Sequence, residues 1–168
     1  MKRFKTLLAL TLTLLMTDAV ADTDLNFRGT LITEPCTLTE QSEDQSVDFG
    51  DIASSTFLSH NRSTPRSFEI KLSNCDLTVG TSVAVTFSGE TDDTQPDTFA
   101  VTGGAAGVAI ALETKEGVKV IPGEAASPVA LNENEIVLGY KAYVQSNLAL
   151  AVNEGNFQSV ITFSLQYE

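Results

Sequence analysis

Histidine and cysteine are scarce in this chain, and with them most of the side-chain chemistry of catalysis. One histidine, His60, and two cysteines, Cys36 and Cys75, stand among 168 residues. His60 lies in the Ser-, Thr- and Asn-rich stretch 53–65 with no carboxylate or cysteine close in sequence, so it reads as a surface side chain rather than a base or ligand. A Ser-His or Cys-His nucleophile pair has little to draw on. Two cysteines and one histidine also fall short of a zinc site. No G-x-S-x-G elbow, phosphate-cradling glycine loop or H-E-x-x-H run is present. An exported glycosidase would need two carboxylates facing each other across a cleft, which a sequence does not show. The chain does not read as an enzyme, and no cofactor or metal is implied.

Basic residues are few as well, ten against 22 acidic ones. Three of the ten, Lys2, Arg3 and Lys5, precede the apolar run from Leu7 to Met16, and Ala19-Val20-Ala21 follows as a small-x-small triplet. This is the pattern of a secretory signal, residues 1–21, cleaved before Asp22. The run is about half the roughly 20 residues of a membrane span, and no later stretch is long enough to cross a bilayer. Removing 21 of 168 residues leaves 147, enough for one domain with its own core. Asp18 leaves with the signal, so 7 basic and 21 acidic residues remain, a net charge of −14. Nucleic acid is excluded as a partner on that balance. In an exported chain an even pair of cysteines reads as a disulfide. Linking Cys36 to Cys75 closes a loop of about 40 residues, a stabilisation of roughly 4 kcal/mol on the loop-entropy argument.

No apolar pattern of helical period runs through the mature chain, whereas period-2 patterns recur. Phe68, Ile70 and Leu72 alternate into Asn74-Cys75; Val83, Val85 and Phe87 alternate into Ser88-Gly89. Phe99–Val101 reads as a short strand, Val108, Ile110 and Leu112 start another, and Val118 to Ile121 looks like its hairpin return. Ile136, Leu138, Tyr140, Ala142 and Val144 make the next. Glu90, Asp92, Asp93 and Asp97 form an acidic turn whose irregular spacing suits a solvated loop better than calcium. The runs 39–46 and 53–65 read as connections. Short alternating strands separated by Gly, Pro and Asn/Asp turns predict an all-β antiparallel sandwich of the immunoglobulin type.

Two strands frame this pattern. In the last one Phe157, Ile161, Phe163, Leu165 and Tyr167 alternate with Gln158, Thr162, Ser164, Gln166 and Glu168, and only Ser159 and Val160 fit poorly. No later segment is available to cover its far edge. In the first, Leu25, Phe27, Gly29 and Leu31 alternate with Asn26, Arg28 and Thr30. A glycine there marks either a bulge in an edge strand or a point of close approach by another chain.

This arrangement resembles the chaperone–usher pilin family, most closely the minor adaptor-type pilins of P pili. The resemblance is carried by Phe27-Arg28-Gly29, Glu34-Pro35-Cys36, Val47-Asp48-Phe49-Gly50, Ser73-Asn74-Cys75, Gly107 to Leu112, Tyr140 to Tyr143, and the ending, with glycine at 155 and tyrosine at 167. It implies an incomplete immunoglobulin-like sandwich that lacks its last strand and is completed by donor-strand exchange. Residues 22–35 would be the donor extension and 36–168 the pilin domain. Leu25, Phe27, Gly29 and Leu31 would enter a neighbour's groove, where burying Leu25, Phe27 and Leu31 contributes about 5–9 kcal/mol before ordering costs. Gly155, Phe157, Ile161, Phe163, Leu165, Tyr167 and Glu168 would form this subunit's acceptor groove and chaperone contact. The partners implied are a periplasmic pilus chaperone, which would hold the carboxylate of Glu168, an outer-membrane usher and neighbouring pilins. The destination implied is the cell-surface fimbrium, reached through the periplasm. The short extension fits a minor, adaptor or tip-fibrillum subunit that supports adhesion. The competing class is a self-contained secreted binding module, lectin- or adhesin-like, whose sandwich is complete.

Overall fold

The computed structural model describes Arg28 and residues 33–147 and 151–168. The signal expected at 1–21 and the proposed donor residues Leu25, Phe27, Gly29 and Leu31 lie outside the described residues. One structural unit runs from Ile32 to Glu168. Its elements in chain order are β1 (Thr37–Leu38), α1 (Glu40–Glu43), α2 (Thr56–Ser59), β2 (Arg66–Ser73), β3 (Ser82–Ser88), β4 (Thr91–Asp92), β5 (Gln95–Phe99), β6 (Thr102–Gly103), β7 (Val108–Thr114), β8 (Lys119–Val120), β9 (Val129–Ala130), β10 (Ile136–Ser146), β11 (Phe157–Gln158) and β12 (Thr162–Tyr167). The alternating runs at Phe68, Val83, Val108 and Ile136 become β2, β3, β7 and β10. The two helices interrupt stretches that read as connections. Each is four residues, about one turn, and one turn is too short to display an apolar stripe.

The larger sheet has the order β1-β2-β10-β7-β5-β4, with β8 added beside β7, and every pairing in it is antiparallel. Its centre is β10, paired over seven residues with β2 on one side and seven with β7 on the other. A smaller sheet, β12-β3-β9, faces it. Side chains from both meet between them: the Phe87 ring of β3 stands edge-on to Tyr140 of β10 at 4.8 Å, and Phe68 of β2 stacks on Tyr140 at 5.7 Å. Ile70, Leu72, Val83, Val85, Phe99 and Val144 are buried in the same layer, each contributing about 1.5–3 kcal/mol. Burial holds the Tyr140 phenol in its neutral form and pushes its pKa up to about 12, with the Glu116 carboxylate adding to the shift.

Cys36 and Cys75 are joined in a disulfide at one end of the sandwich. Asn74 turns the chain there with a left-handed φ of 53°, a conformation in which a short polar side chain is tolerated. The N–H of Asp76 then donates to the carbonyl of Pro35 at 2.7 Å, tying the two flanks of the bridge together.

The ending reads in sequence as one strand, and the structure divides it. β11 pairs with β6, whereas β12 pairs with β3 in the smaller sheet. Ser159 and Val160, the two residues that break the alternation, lie at the transfer point, and Val160 is 81 % exposed.

Candidate functional site: the free edge of β12 and the cleft beside it

The backbone of β12 is half satisfied, and the pairing says which half. Glu168 and Ser82 exchange both backbone bonds, at 3.1 and 3.0 Å. Counting back along the antiparallel register, Gln166, Ser164 and Thr162 face β3 in the same way. Phe163, Leu165 and Tyr167 then occupy the alternate positions, whose N–H and C=O groups point away from the partner strand. The opposite edge of β3 obeys the same parity, since the carbonyls of Val85 and Phe87 accept from Ala126 and Gly123 at 2.9 and 2.7 Å. The outward N–H and C=O groups of Phe163, Leu165 and Tyr167 have no partner among the described residues. The side chains of the same three residues turn inward and pack against the core.

Beside this edge lies a cleft of about 880 Å³. Its floor is core from both sheets: Phe68 and Ile70, Phe87, Ile110 and Leu112, and Ala142. One wall is formed by residues 157–163 and the other by residues 42–49. The second wall is a strap held to β2 by side chains. Lys71 N–H donates to the Ser42 hydroxyl at 2.9 Å, and the Gln45 amide donates to the Glu69 carbonyl at 2.8 Å. Farther along, Arg66 donates to the Phe49 carbonyl at 3.2 Å. The backbone groups of Gln45, Ser46 and Val47 have no partner among the described residues. At one end the walls meet, with Phe49 and Phe157 rings 6.0 Å apart and the Ser54 hydroxyl donating to the Glu154 carboxylate at 2.8 Å.

Among the sequence-predicted groove residues, Phe157, Ile161 and Phe163 line the cleft. Leu165 and Tyr167 continue the same inward row past the lined portion and pack on the core. Burial raises the Tyr167 phenol above its ordinary pKa, with Glu34 adding to the shift. Glu168 lies outside the lining; its backbone oxygen accepts from Thr81 and Ser82 N–H at 2.6 and 3.0 Å. Gly155 is placed elsewhere, its Cα pressed to the backbone of Gly104 and Ala105. It belongs to a backbone-to-backbone contact in which Gly104 and Ala105 N–H both donate to the Asn156 carbonyl, at 2.8 and 3.1 Å. Sequence reading missed the strap from Ser42 to Val47 as a wall. Its usable signal is the alternation of Val47 and Phe49 with exposed Asp48.

An apolar floor between two stretches of unpaired backbone can take up one thing well, an extended polypeptide that bonds to a wall while its alternate side chains fill the floor. The family model for fimbrial proteins matches residues 25–168. The chain belongs to the fimbrial protein family. The fimbrial subunit is 34 % identical over 145 residues to the fimbria A protein of Serratia marcescens, covering 86 % of this chain and 83 % of that one. It is 33 % identical over 155 residues to the Pap fimbrial major pilin protein of Escherichia coli, with the same coverage of 86 % and 83 %. Among solved structures, a subunit of a chaperone–usher pilus superimposes with a TM-score of 0.72 at 32 % identity, covering 88 % of this chain and 96 % of that chain. The fimbrial subunit is thus of the chaperone–usher type with an all-β, immunoglobulin-like fold. The family is one of structural pilins, non-enzymatic in general, that polymerise with neighbouring subunits into cell-surface pili.

Proposed function

We propose that the fimbrial subunit is an incomplete sandwich that takes a neighbour's extended strand into the cleft beside β12 and gives its own residues 22–35 to the next subunit. The observation that carries this reading is the coincidence, at Phe163, Leu165 and Tyr167, of outward unpaired backbone with inward apolar side chains. An edge of that kind is an aggregation hazard in an isolated chain, and one added strand would satisfy the backbone and cover the floor together. In this reading a periplasmic chaperone fills the cleft first, an outer-membrane usher receives the subunit, and Leu25, Phe27, Gly29 and Leu31 are the donated residues. Gly29 is the point where the acceptor floor leaves no room for a side chain.

The place along the fibre has two readings. The short extension supports a minor, adaptor-type subunit. The relatives at 33 and 34 % identity, one of them named a major pilin, support a subunit that repeats.

The test is the thermal melt of residues 22–168, alone and with a strand fused through a flexible linker after Glu168. Several pilin extensions, this chain's own among them, are compared. A steep rise in melting temperature with one fusion, and loss of aggregation, is the expected result. A bare chain that melts cooperatively as a monomer and is unmoved by every fusion would replace this reading with the self-contained binding module.

A further inference from the structure

Gly80 is a seat shared by two ends of the chain. It is buried, and a Cβ built on it would stand 2.8 Å from the Pro35 ring and 3.5 Å from the Glu168 backbone oxygen. Pro35, also buried, is where segment 22–35 joins the sandwich; the Asp76 N–H holds its carbonyl at 2.7 Å, and the disulfide follows one residue on. Glu168 closes the last strand, its backbone oxygen bonded to the N–H groups of Thr81 and Ser82. The root of the donor segment and the end of the acceptor edge therefore touch at one point.

Tyr167 reaches this point from the core side. Its phenol oxygen is buried and has no hydrogen-bond partner among the described residues, an unfavourable state for a polar group away from water. Burial raises its pKa and the Glu34 carboxylate, next to Pro35, raises it further, so the hydroxyl keeps its proton and remains a donor. The outward backbone groups of Tyr167 are unpaired as well. A strand end held on one side only is where fraying concentrates. A guest strand bonded to the outward groups of Phe163, Leu165 and Tyr167 would hold that end on both sides.

We infer that Tyr167 is a positioning residue for the donor segment: once a guest strand fixes the end of β12, its hydroxyl donates to the Glu34 carboxylate and sets the direction in which residues 22–33 leave the domain. The inference rests on the strand-acceptance reading and adds to it a link between accepting a strand and giving one. Glu34 is exposed, so its side chain turns to the hydroxyl without displacing the core. A subunit with a filled cleft then offers a root of fixed direction, and its segment searches less before it meets the next cleft. The coupling is reciprocal, so a fixed root also favours the filled cleft.

The donor in the test is residues 22–168 with the cleft filled by a strand fused after Glu168, labelled so that only its own donation is followed. The acceptor is a chaperone-held subunit, chosen among this chain and several pilins as the one that takes up segment 22–35 fastest. Tyr167→Phe and Glu34→Ala are each expected to slow joining by about fivefold. The double variant should be no slower than either, and Glu34→Gln, which keeps an acceptor oxygen, should stay near the unaltered rate. A cooperative melt of each donor shows that it is folded; should Tyr167→Phe fail this, the exposed Glu34 still tests the pair. An unaltered rate for Glu34→Ala, losses that multiply in the double variant, or equal losses for Glu34→Gln and Glu34→Ala overturn the positioning role and leave strand exchange standing. An unaltered donor that joins no acceptor overturns the reading beneath it.

Discussion

Gly155 offers the sharpest test of how the ending is held, because a neighbouring glycine provides its control. A Cβ at 155 would lie 2.6 Å from the Ala105 nitrogen and 2.8 Å from the Gly104 oxygen, with the Gly104 carbonyl carbon nearer still. Comfortable contact between carbons begins at roughly 3.5 Å, and all three atoms are backbone, so no side chain can swing aside. Forcing the methyl group in costs about 1–3 kcal/mol as overpacking. If the segments part instead, the two bonds to the Asn156 carbonyl weaken, at about 0.5–1.5 kcal/mol each. Either route predicts that Gly155→Ala loses about 1–3 kcal/mol, or roughly 3–9 °C in Tm for a domain of this size. At Gly104 the nearest atom to an added Cβ is 3.7 Å away, and φ is not in the left-handed region. Gly104→Ala should then be neutral, or stabilising by up to about 1 kcal/mol through the unfolded chain. Urea titrations of both variants, followed by far-UV circular dichroism on the strand-filled subunit, compare them at constant m. A loss below about 0.5 kcal/mol for Gly155→Ala, or equal losses at the two positions, refutes the packing argument.

Further predictions concern the core and the disulfide end. Replacing Cys36 and Cys75 together by alanine opens a loop of sequence separation 39 and should lower the urea midpoint by the equivalent of about 4 kcal/mol; an unchanged midpoint would contradict it. Asn74→Gly should be tolerated, whereas Asn74→Val must place a branched side chain at φ 53° and should cost about 1–2 kcal/mol by the same assay. Tyr140 should ionise at about pH 12, against 10.0 for a free phenol. Its folded pKa is raised, so its contribution is fully present below pH 10, and stability falls from pH 10 to about 12 as the unfolded chain releases the proton first. Tyr140→Phe should flatten that slope in alkaline denaturation curves, and an unaltered slope would remove Tyr140 as its source.

The parts of this molecule that could be read from sequence are those whose physics is local and periodic. β2, β3 and β10 alternate because one face meets the core, whereas β7 is buried on both faces and shows its period as large against small, Val108, Ile110 and Leu112 against Ala109 and Ala111; the inward row Phe157, Ile161, Phe163, Leu165 and Tyr167 is visible because its alternate residues are polar. The division of the ending between two sheets left only a faint mark, the misfit of Ser159 and Val160, since a transfer between partners changes pairing and not composition. The strap was hidden because Ser42 and Gln45 hold it by side-chain bonds to Lys71 and Glu69, which follow no period. Gly155 stands at the head of the last strand in sequence, but its contacts are set by Gly104 and Ala105, which only the folded chain brings near.

The outward bonding groups of β12 also fix how a filled cleft would answer to force. They are spaced along the strand at Phe163, Leu165 and Tyr167 and point sideways from it. A strand seated beside them and pulled along its own axis would load all of its backbone bonds together, in shear. The strap on the other side, anchored through a few side chains, would carry little of that tension. A fibre of such joints would resist stretching through β12 and its ladder to β3, and peeling a strand away from one end would be the far easier way to undo it.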